Sequence, residues 1–190
     1  MPQSGAGRKD VRPAGTDGTS DTAGAPQDFA SIYDHYFARV YGFIRSQVGD
    51  PVEADDVTSR AFERVLDRLA SFRPERGAFE SWLFAVVRNA VRDHFRARRW
   101  RALFFKDECP EPAAREPAAM DRLLAEEERS GLLRALRGLD ARSREILGLK
   151  FQAGLNNRQI AEVLDLGESH IGVLVYRAVK KLQAALGEPS

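Results

Sequence analysis

Apolar residues recur along this chain at steps of three and four and show no strand-like alternation, so the pattern predicts helices throughout. Phe29, Ile32, Tyr33, Tyr36, Phe37, Val40, Tyr41 and Ile44 form one such stripe, and Gly49 ends it. Asp50 then stands as the N-cap of a second helix, with Pro51 at its first position, Glu53 at its third, and Ala61, Phe62, Val65, Leu66 and Leu69 facing inward. Ser71 to Gly77 make a polar loop broken by Pro74. A third helix runs to about Arg99 with Phe79, Trp82, Leu83, Val86, Val87, Ala90 and Phe95 inward, and Trp82 is expected to anchor the core. These helices predict one bundle over residues 28–100.

Pro110, Pro112 and Pro117 oppose helix between residues 101 and 119 and predict an extended tether. A second helical domain is expected over 120–186. Leu123, Leu124, Leu133 and Leu136 open it, Gly138 is a stop, Asp140 caps the next helix, and Ile146, Leu147 and Phe151 continue to Gly154. Residues 156–182 then make two short helices joined by a turn. Asn156 with Gln159 has capping-box spacing, Ile160, Ala161 and Leu164 share an inner face, and Asp165, Leu166 and Gly167 turn the chain. Ile171, Val175, Ala178 and Leu182 form the stripe of the last helix, and small Ala161 and Ala178 stand where the two helices must approach. This is a helix-turn-helix pattern that points to duplex DNA; a helical hairpin that merely closes a core has the same periodicity. The expected fold class is all-α, two small helical domains with separate cores joined by a flexible Pro-rich linker. Residues 1–27, with Val11 as their only branched aliphatic, read as a disordered tail, and 187–190 as a second tail.

Charged residues make up 30% of the chain, yet the formal net charge is +1, so any nucleic-acid binding must rest on one locally basic face. The single Cys109 excludes an intramolecular disulfide framework and reads as an ordinary free thiol in the tether. No Cys or His spacing resembles a zinc site, and no metal or cofactor is expected. No apolar run approaches the roughly 20 residues of a membrane span, and the first 27 residues lack an apolar signal core, which together predict a cytoplasmic protein without membrane insertion. Three scattered His, one Cys and no phosphate-cradling Gly loop leave no catalytic constellation, so neither an enzyme nor a small-molecule substrate is expected. His35 and His94 are expected at the surface or its boundary.

The third helix carries a second periodicity, because Arg88, Asn89, Arg92, Asp93, Arg96 and Arg99 also fall at three- and four-residue steps. A solvated basic face with Asp93 paired internally is one reading of it. The other is a DNA surface: Asn89 is a poor mid-helix residue, and its amide can both donate to and accept from a base edge. Phe72, Arg73, Arg76 and Phe79 lie in or beside the preceding loop, where aromatic and guanidinium planes can hold an unstacked base at roughly 1–3 kcal/mol per base.

Three segments, EADDVTSRAFERV (53–65), FESWLFAVVRNAVRDHFRARR (79–99) and NNRQIAEVLDLGESHIGVLVYRAVKKL (156–182), resemble those of a bacterial group IV, extracytoplasmic-function sigma factor. The resemblance covers residues 28–186. It implies that Asp55, Asp56, Val57, Ser59 and Phe62 bind the clamp coiled coil of core RNA polymerase. It implies that Phe72, Arg73 and Arg76 hold a flipped base of the minus-ten element, that Asn89, Arg92 and Asp93 contact its bases, and that Arg96 and Arg99 contact its backbone. Asn157, Arg158, Gln159, Glu168, Ser169, His170, Val173, Tyr176, Arg177 and Lys180 would meet the minus-35 element. The implied partners are core polymerase through its clamp and flap, promoter DNA and an anti-sigma factor. The chain departs from the family at two places. Ser59 replaces a core-binding Gln, and Gly172, Val173 and Leu174 replace a stretch that carries two positive charges, each worth about 0.9 in the salt slope. Val173 and Leu174 would touch thymine methyls or pack against the preceding helices. A conventional helix-turn-helix regulator, with the N-terminal bundle sensing or dimerising, is the other reading; it leaves the loop-and-helix surface unexplained.

Overall fold

The computed structural model describes residues 28–104, 131–132 and 134–187 of the 190. The helices with both bounds among the described residues are, in order, α1 (Phe29–Val48), α2 (Pro51–Arg68), α3 (Phe79–Phe104), α4 (Ala141–Leu147), α5 (Asn157–Leu164) and α6 (Glu168–Leu186). Residues 134–138 are also helical, and no strand occurs among the described residues. Residues 1–27 and 188–190 of the expected tails, Leu123, Leu124, Leu133, Cys109 and the Pro-rich part of the tether lie outside them.

Local chemistry sets the helix starts. Asp28, Asp50 and Asp140 each accept a hydrogen bond from the backbone N–H three residues on, at 2.8, 2.9 and 2.9 Å, which satisfies a donor that the first helical turn leaves unpaired. Asn156 and Gln159 close both halves of a capping box at 2.9 Å. Gly49 ends α1 at φ +85°, where a side chain would be strained. α3 does not stop at Arg99. It continues to Phe104, with Trp100 and Phe104 stacked at 4.9 Å, because nothing before Pro110 interrupts it.

The first bundle packs α1, α2 and α3 around Ile32, Phe43, Ile44, Val57, Leu83 and Phe84. The eight-residue stripe of α1 is wider than its partners cover, so Tyr33 and Phe37 stay exposed, as do Leu66 of α2 and Phe151. Trp82 and Phe95 are half-buried. His94 corrects the surface expectation: it is buried at 8% exposure, its Nε2 3.4 Å from a Glu53 carboxylate oxygen.

Separate cores were expected, and the structure has instead one continuous apolar cluster across both bundles. It runs from Ile32, Phe43 and Phe84 to Ile146, Leu149, Leu155, Ile160 and Ile171; a small second cluster of Leu136, Leu139, Leu147 and Ala178 ties α4 to α6. Two glycines permit the close approach. A Cβ on Gly148 would lie 2.6 Å from Gln47 Nε2 and 2.9 Å from Phe43 Cδ2, and one on Gly42 would lie 2.9 Å from Gln152 Oε1. Between them, the π-helical turn Gly148–Gln152 packs on α1.

Candidate nucleic-acid interface

The loop before α3 consists of two 3-10 turns, Leu69–Ser71 and Pro74–Arg76, which fold it back on the start of the helix. Phe72 wedges against Phe79 at 5.1 Å, ring edge to ring face, and against Trp82 at 5.6 Å. The Arg73 guanidinium donates to the carbonyls of Ala70 and Phe72 at 2.8 and 2.9 Å, leaving its outer edge to solvent beside exposed Arg76. Gly77, at φ +145°, makes a bend that a side chain resists. The result is a cavity of about 440 Å³ bounded by Phe72, Arg73, Arg76, Ser81, Trp82 and Glu162. An aromatic floor under guanidinium edges suits an unstacked base and its phosphate. Trp82, expected as a core anchor, is a wall of this cavity. The Ser81 hydroxyl is buried with no hydrogen-bond partner among the described residues.

Along α3, Asn89, Arg92, Arg96 and Arg99 are exposed on the outer surface. Asp93 is half-buried and bonds Arg64 of α2 at 2.7 Å and Arg96 at 3.1 Å, so it pins α2 to α3. Arg88 leaves this face. Its Nε donates to Glu145 of α4 at 2.7 Å, with both side chains 17% exposed.

On α2, Asp55, Asp56 and Ser59 are exposed, and the Ser59 hydroxyl donates to the Asp55 carbonyl at 3.1 Å. Val57 and Phe62, expected to touch polymerase, are 1% and 4% exposed and belong to the core. Their spacing along α2 turns them toward α1 and α3. Phe62 instead backs Tyr33, at 4.7 Å, and Phe37, at 6.2 Å, in an exposed aromatic patch on α1. The width of the α1 stripe was the signal for that patch.

In the helix-turn-helix, Asp165 takes the left-handed conformation, φ +54°, and Gly167 starts α6. Glu168, Ser169, His170, Val173, Tyr176, Arg177 and Lys180 lie exposed along α6, while Leu174 is half-buried against the core. Residues of α5 are less free. Arg158 pairs with Glu162 at 3.4 Å, and Asn157 accepts from Lys150 Nζ at 3.2 Å. Gln159 departs furthest from the expected DNA contact: its carbonyl oxygen closes the capping box and its Nε2 donates to Glu80 of α3 at 2.6 Å.

The charges have identifiable causes. Hydrogen bonding to the Lys181 ammonium at 2.6 Å, then to the Ser143 N–H and hydroxyl, holds the Asp140 carboxyl well below the usual carboxylate range. Burial, then the Glu80 charge, raises Tyr36. Among the described residues no cluster of His, Cys, Asp and Glu could hold a metal ion, and no helix is long and apolar enough to cross a membrane.

Comparison with known proteins bears on this geometry. Residues 32–101 match the family described as Sigma-70 region 2, and residues 129–182 match Sigma-70, region 4. The chain is similar to the ECF RNA polymerase sigma factor BldN of Streptomyces coelicolor, 34% identical over 164 residues. That match takes in 86% of this chain and 62% of BldN. It is also similar to the RNA polymerase sigma factor CnrH of Cupriavidus metallidurans, 31% identical over 145 residues, 73% of this chain and 75% of CnrH. Among solved structures, CnrH in complex with the cytosolic domain of CnrY matches at TM-score 0.60 and 28% identity, over 85% of this chain and 89% of that one. The sigma factor RpoE bound to the anti-sigma factor NepR from Bartonella quintana shares the fold at TM-score 0.71 and 21% identity, over 87% of this chain and 100% of that one.

Proposed function

The chain belongs to the sigma-70 family, as an extracytoplasmic-function RNA polymerase sigma factor, and we propose that it serves core polymerase in the cytoplasm as a promoter-specificity subunit without catalysis of its own. The observation that carries this reading is the pairing in one chain of two unlike DNA surfaces. One is the aromatic and arginine cavity continuous with the exposed edge of α3, suited to a single strand. The other is the helix-turn-helix, suited to a major groove. A regulator that only binds duplex DNA has no use for the first.

In this proposal Asp55, Asp56 and Ser59 meet the polymerase clamp, with the Tyr33 and Phe37 patch beside them supplying apolar contact. Phe72, Arg73 and Arg76 capture a minus-ten base in the cavity, Asn89 and Arg92 read its neighbours, and Arg96 and Arg99 hold the backbone. The α6 residues from Glu168 to Lys180 read the minus-35 element. Stacking of a captured base, worth roughly 1–3 kcal/mol, offsets the few kcal/mol lost in unstacking it, so binding itself drives strand opening. An anti-sigma factor is the expected inhibitor, since CnrH and RpoE are each found with a protein partner.

Run-off transcription on fragmented genomic DNA, with purified core polymerase and with or without this protein, tests the reading. New start sites that share an upstream two-part motif are the expected result. No new starts, with duplex binding retained, would replace it with a conventional regulator.

A further inference from the structure

The last helix carries little charge on its leading turns. From Glu168 to Tyr176 α6 has no Lys or Arg, and its cations stand farther along at Arg177, Lys180 and Lys181. Lys181 is already held by Asp140 at 2.6 Å. The N-terminal residues of such a helix are the ones that meet base edges in the major groove. Here those edges must be read mainly by neutral side chains.

Gly172 and Val173 stand in the middle of that stretch, with exposed Ser169 one turn before and exposed Tyr176 one turn after. Both are poorer helix formers than alanine, glycine the more so. Packing does not explain the glycine. A Cβ there would meet, among the described residues, only Asn157 Nδ2 within 4 Å, at an ordinary 3.8 Å, whereas one on Gly42 or Gly148 would meet a side chain at 2.9 or 2.6 Å. Backbone conformation does not explain it either, since Gly172 is not among the glycines with positive φ. Of the residues that follow, Leu174 and Val175 pack against the core, while Val173 keeps 47% exposure. The outer surface of α6 therefore carries a notch at Gly172 beside an apolar knob at Val173.

We propose that Gly172 and Val173 make α6 a thymine reader. The missing side chain at Gly172 lets the helix backbone settle close against the base edges, and the Val173 methyls then rest on the C5-methyl of a thymine in the minus-35 element. The inference rests on the sigma-factor reading above. Thymine alone presents a methyl group in the major groove, so an apolar contact separates it from the other three bases without a hydrogen bond. Because the contact is uncharged, the preference for thymine should hold as salt is raised, while overall affinity, which draws on phosphate contacts from exposed Arg177 and Lys180, falls.

Single-atom changes in the DNA test it. On a promoter found by run-off mapping, each thymine of the minus-35 element is replaced in turn by 2′-deoxyuridine, which removes the methyl and keeps the base pair. Binding is measured with core polymerase carrying the full chain. One such replacement is expected to weaken binding at least about threefold, the order expected for one buried methyl group. Val173→Ala, which withdraws the two outer methyls, should bring that ratio close to one. Gly172→Ala should weaken promoter binding at least about fivefold, as overpacking does, while the thermal midpoint of the free protein holds or rises because alanine is the better helix former. A minus-35 element without thymine, or a methyl effect that survives Val173→Ala, overturns the proposal. So does a Gly172→Ala protein that binds as tightly as the original, or one whose thermal midpoint falls, since the glycine would then have a packing duty. If the unaltered protein directs no transcription, the sigma reading has failed instead; the same replacements in a genomic duplex that the full chain binds still test the contact.

Discussion

Asn89 and Arg92 stand on the outer surface of α3 with no packing duty, so their removal isolates recognition from folding. Asn89→Ala or Arg92→Ala should lower promoter opening about 5- to 150-fold, the equivalent of the 1–3 kcal/mol typical of a good base contact. Core-polymerase binding should stay unchanged, and helix content and thermal midpoint should not fall, since alanine is the better mid-helix residue. Permanganate footprinting of the opened strand and a pull-down with core polymerase check the two halves, and joint loss of both would contradict the division of surfaces. Arg88, from the same polar periodicity, behaves differently because it faces Glu145 at 17% exposure. Arg88→Ala leaves Glu145, among the described residues, with Arg142 at 3.3 Å and should cost about 1.5–3 kcal/mol of stability, as expected for a hydrogen bond between charged groups. Thermal unfolding of the single and double variants with Glu145→Ala should give a double change smaller than the sum. Which members of a periodic set reach a partner depends on neighbours far away in sequence. Hence the order Arg88, Asn89, Arg92 was legible and the fate of Arg88 was not. The same holds for Val57 and Phe62, whose motif position suggested contact and whose place on α2 buries them.

Helix starts were the most legible feature, because a cap is a local event between a side chain and the N–H three residues on. Asp50, Asp140 and Asn156 each cap the helix that their position predicted. The extent of α3 was less legible: a stop signal acts only near its own residue, and Pro110 is too far along the chain to end the helix at Arg99, so it runs on through Phe104. Asp140 gives this scale a pH test. Its carboxyl, lowered first by Lys181 and then by Ser143, contributes stability that is complete above the ordinary aspartate value of 3.8. That stability is lost as the pH falls from there through the lowered folded value. Asp140→Asn keeps an oxygen for the cap and removes the charge. Because the pair is about half exposed, the cost at neutral pH should stay below about 1 kcal/mol. Thermal midpoints of the two proteins should therefore differ by about 1–3 °C at neutral pH and converge progressively below about pH 3. A constant gap down to acid pH would assign the loss to cap geometry alone.

At the scale of the whole molecule, the seam between the two bundles was illegible because it depends on two glycines whose meaning appears only when α1 and the turn after α4 lie together. Gly148 decides the sign of a simple substitution. In an isolated helical domain, Gly→Ala removes backbone freedom from the unfolded chain and stabilises by up to about 1 kcal/mol. Here all three nearest neighbours of the added methyl, Gln47, Phe43 and Ser46, belong to α1 in the other bundle, at 2.6 to 3.0 Å. Phe43 is fixed in the core and cannot swing aside as an exposed side chain would. Gly148→Ala should therefore destabilise by about 1–3 kcal/mol, the usual cost of overpacking, and the easiest relief is separation of the bundles along the seam. The expected outcome is a lower thermal midpoint together with a larger radius of gyration in small-angle scattering and an unchanged helical circular dichroism. A rise in thermal midpoint at constant radius would mean that the two bundles do not share a core in solution, since only a Gly148 facing solvent gains from the methyl.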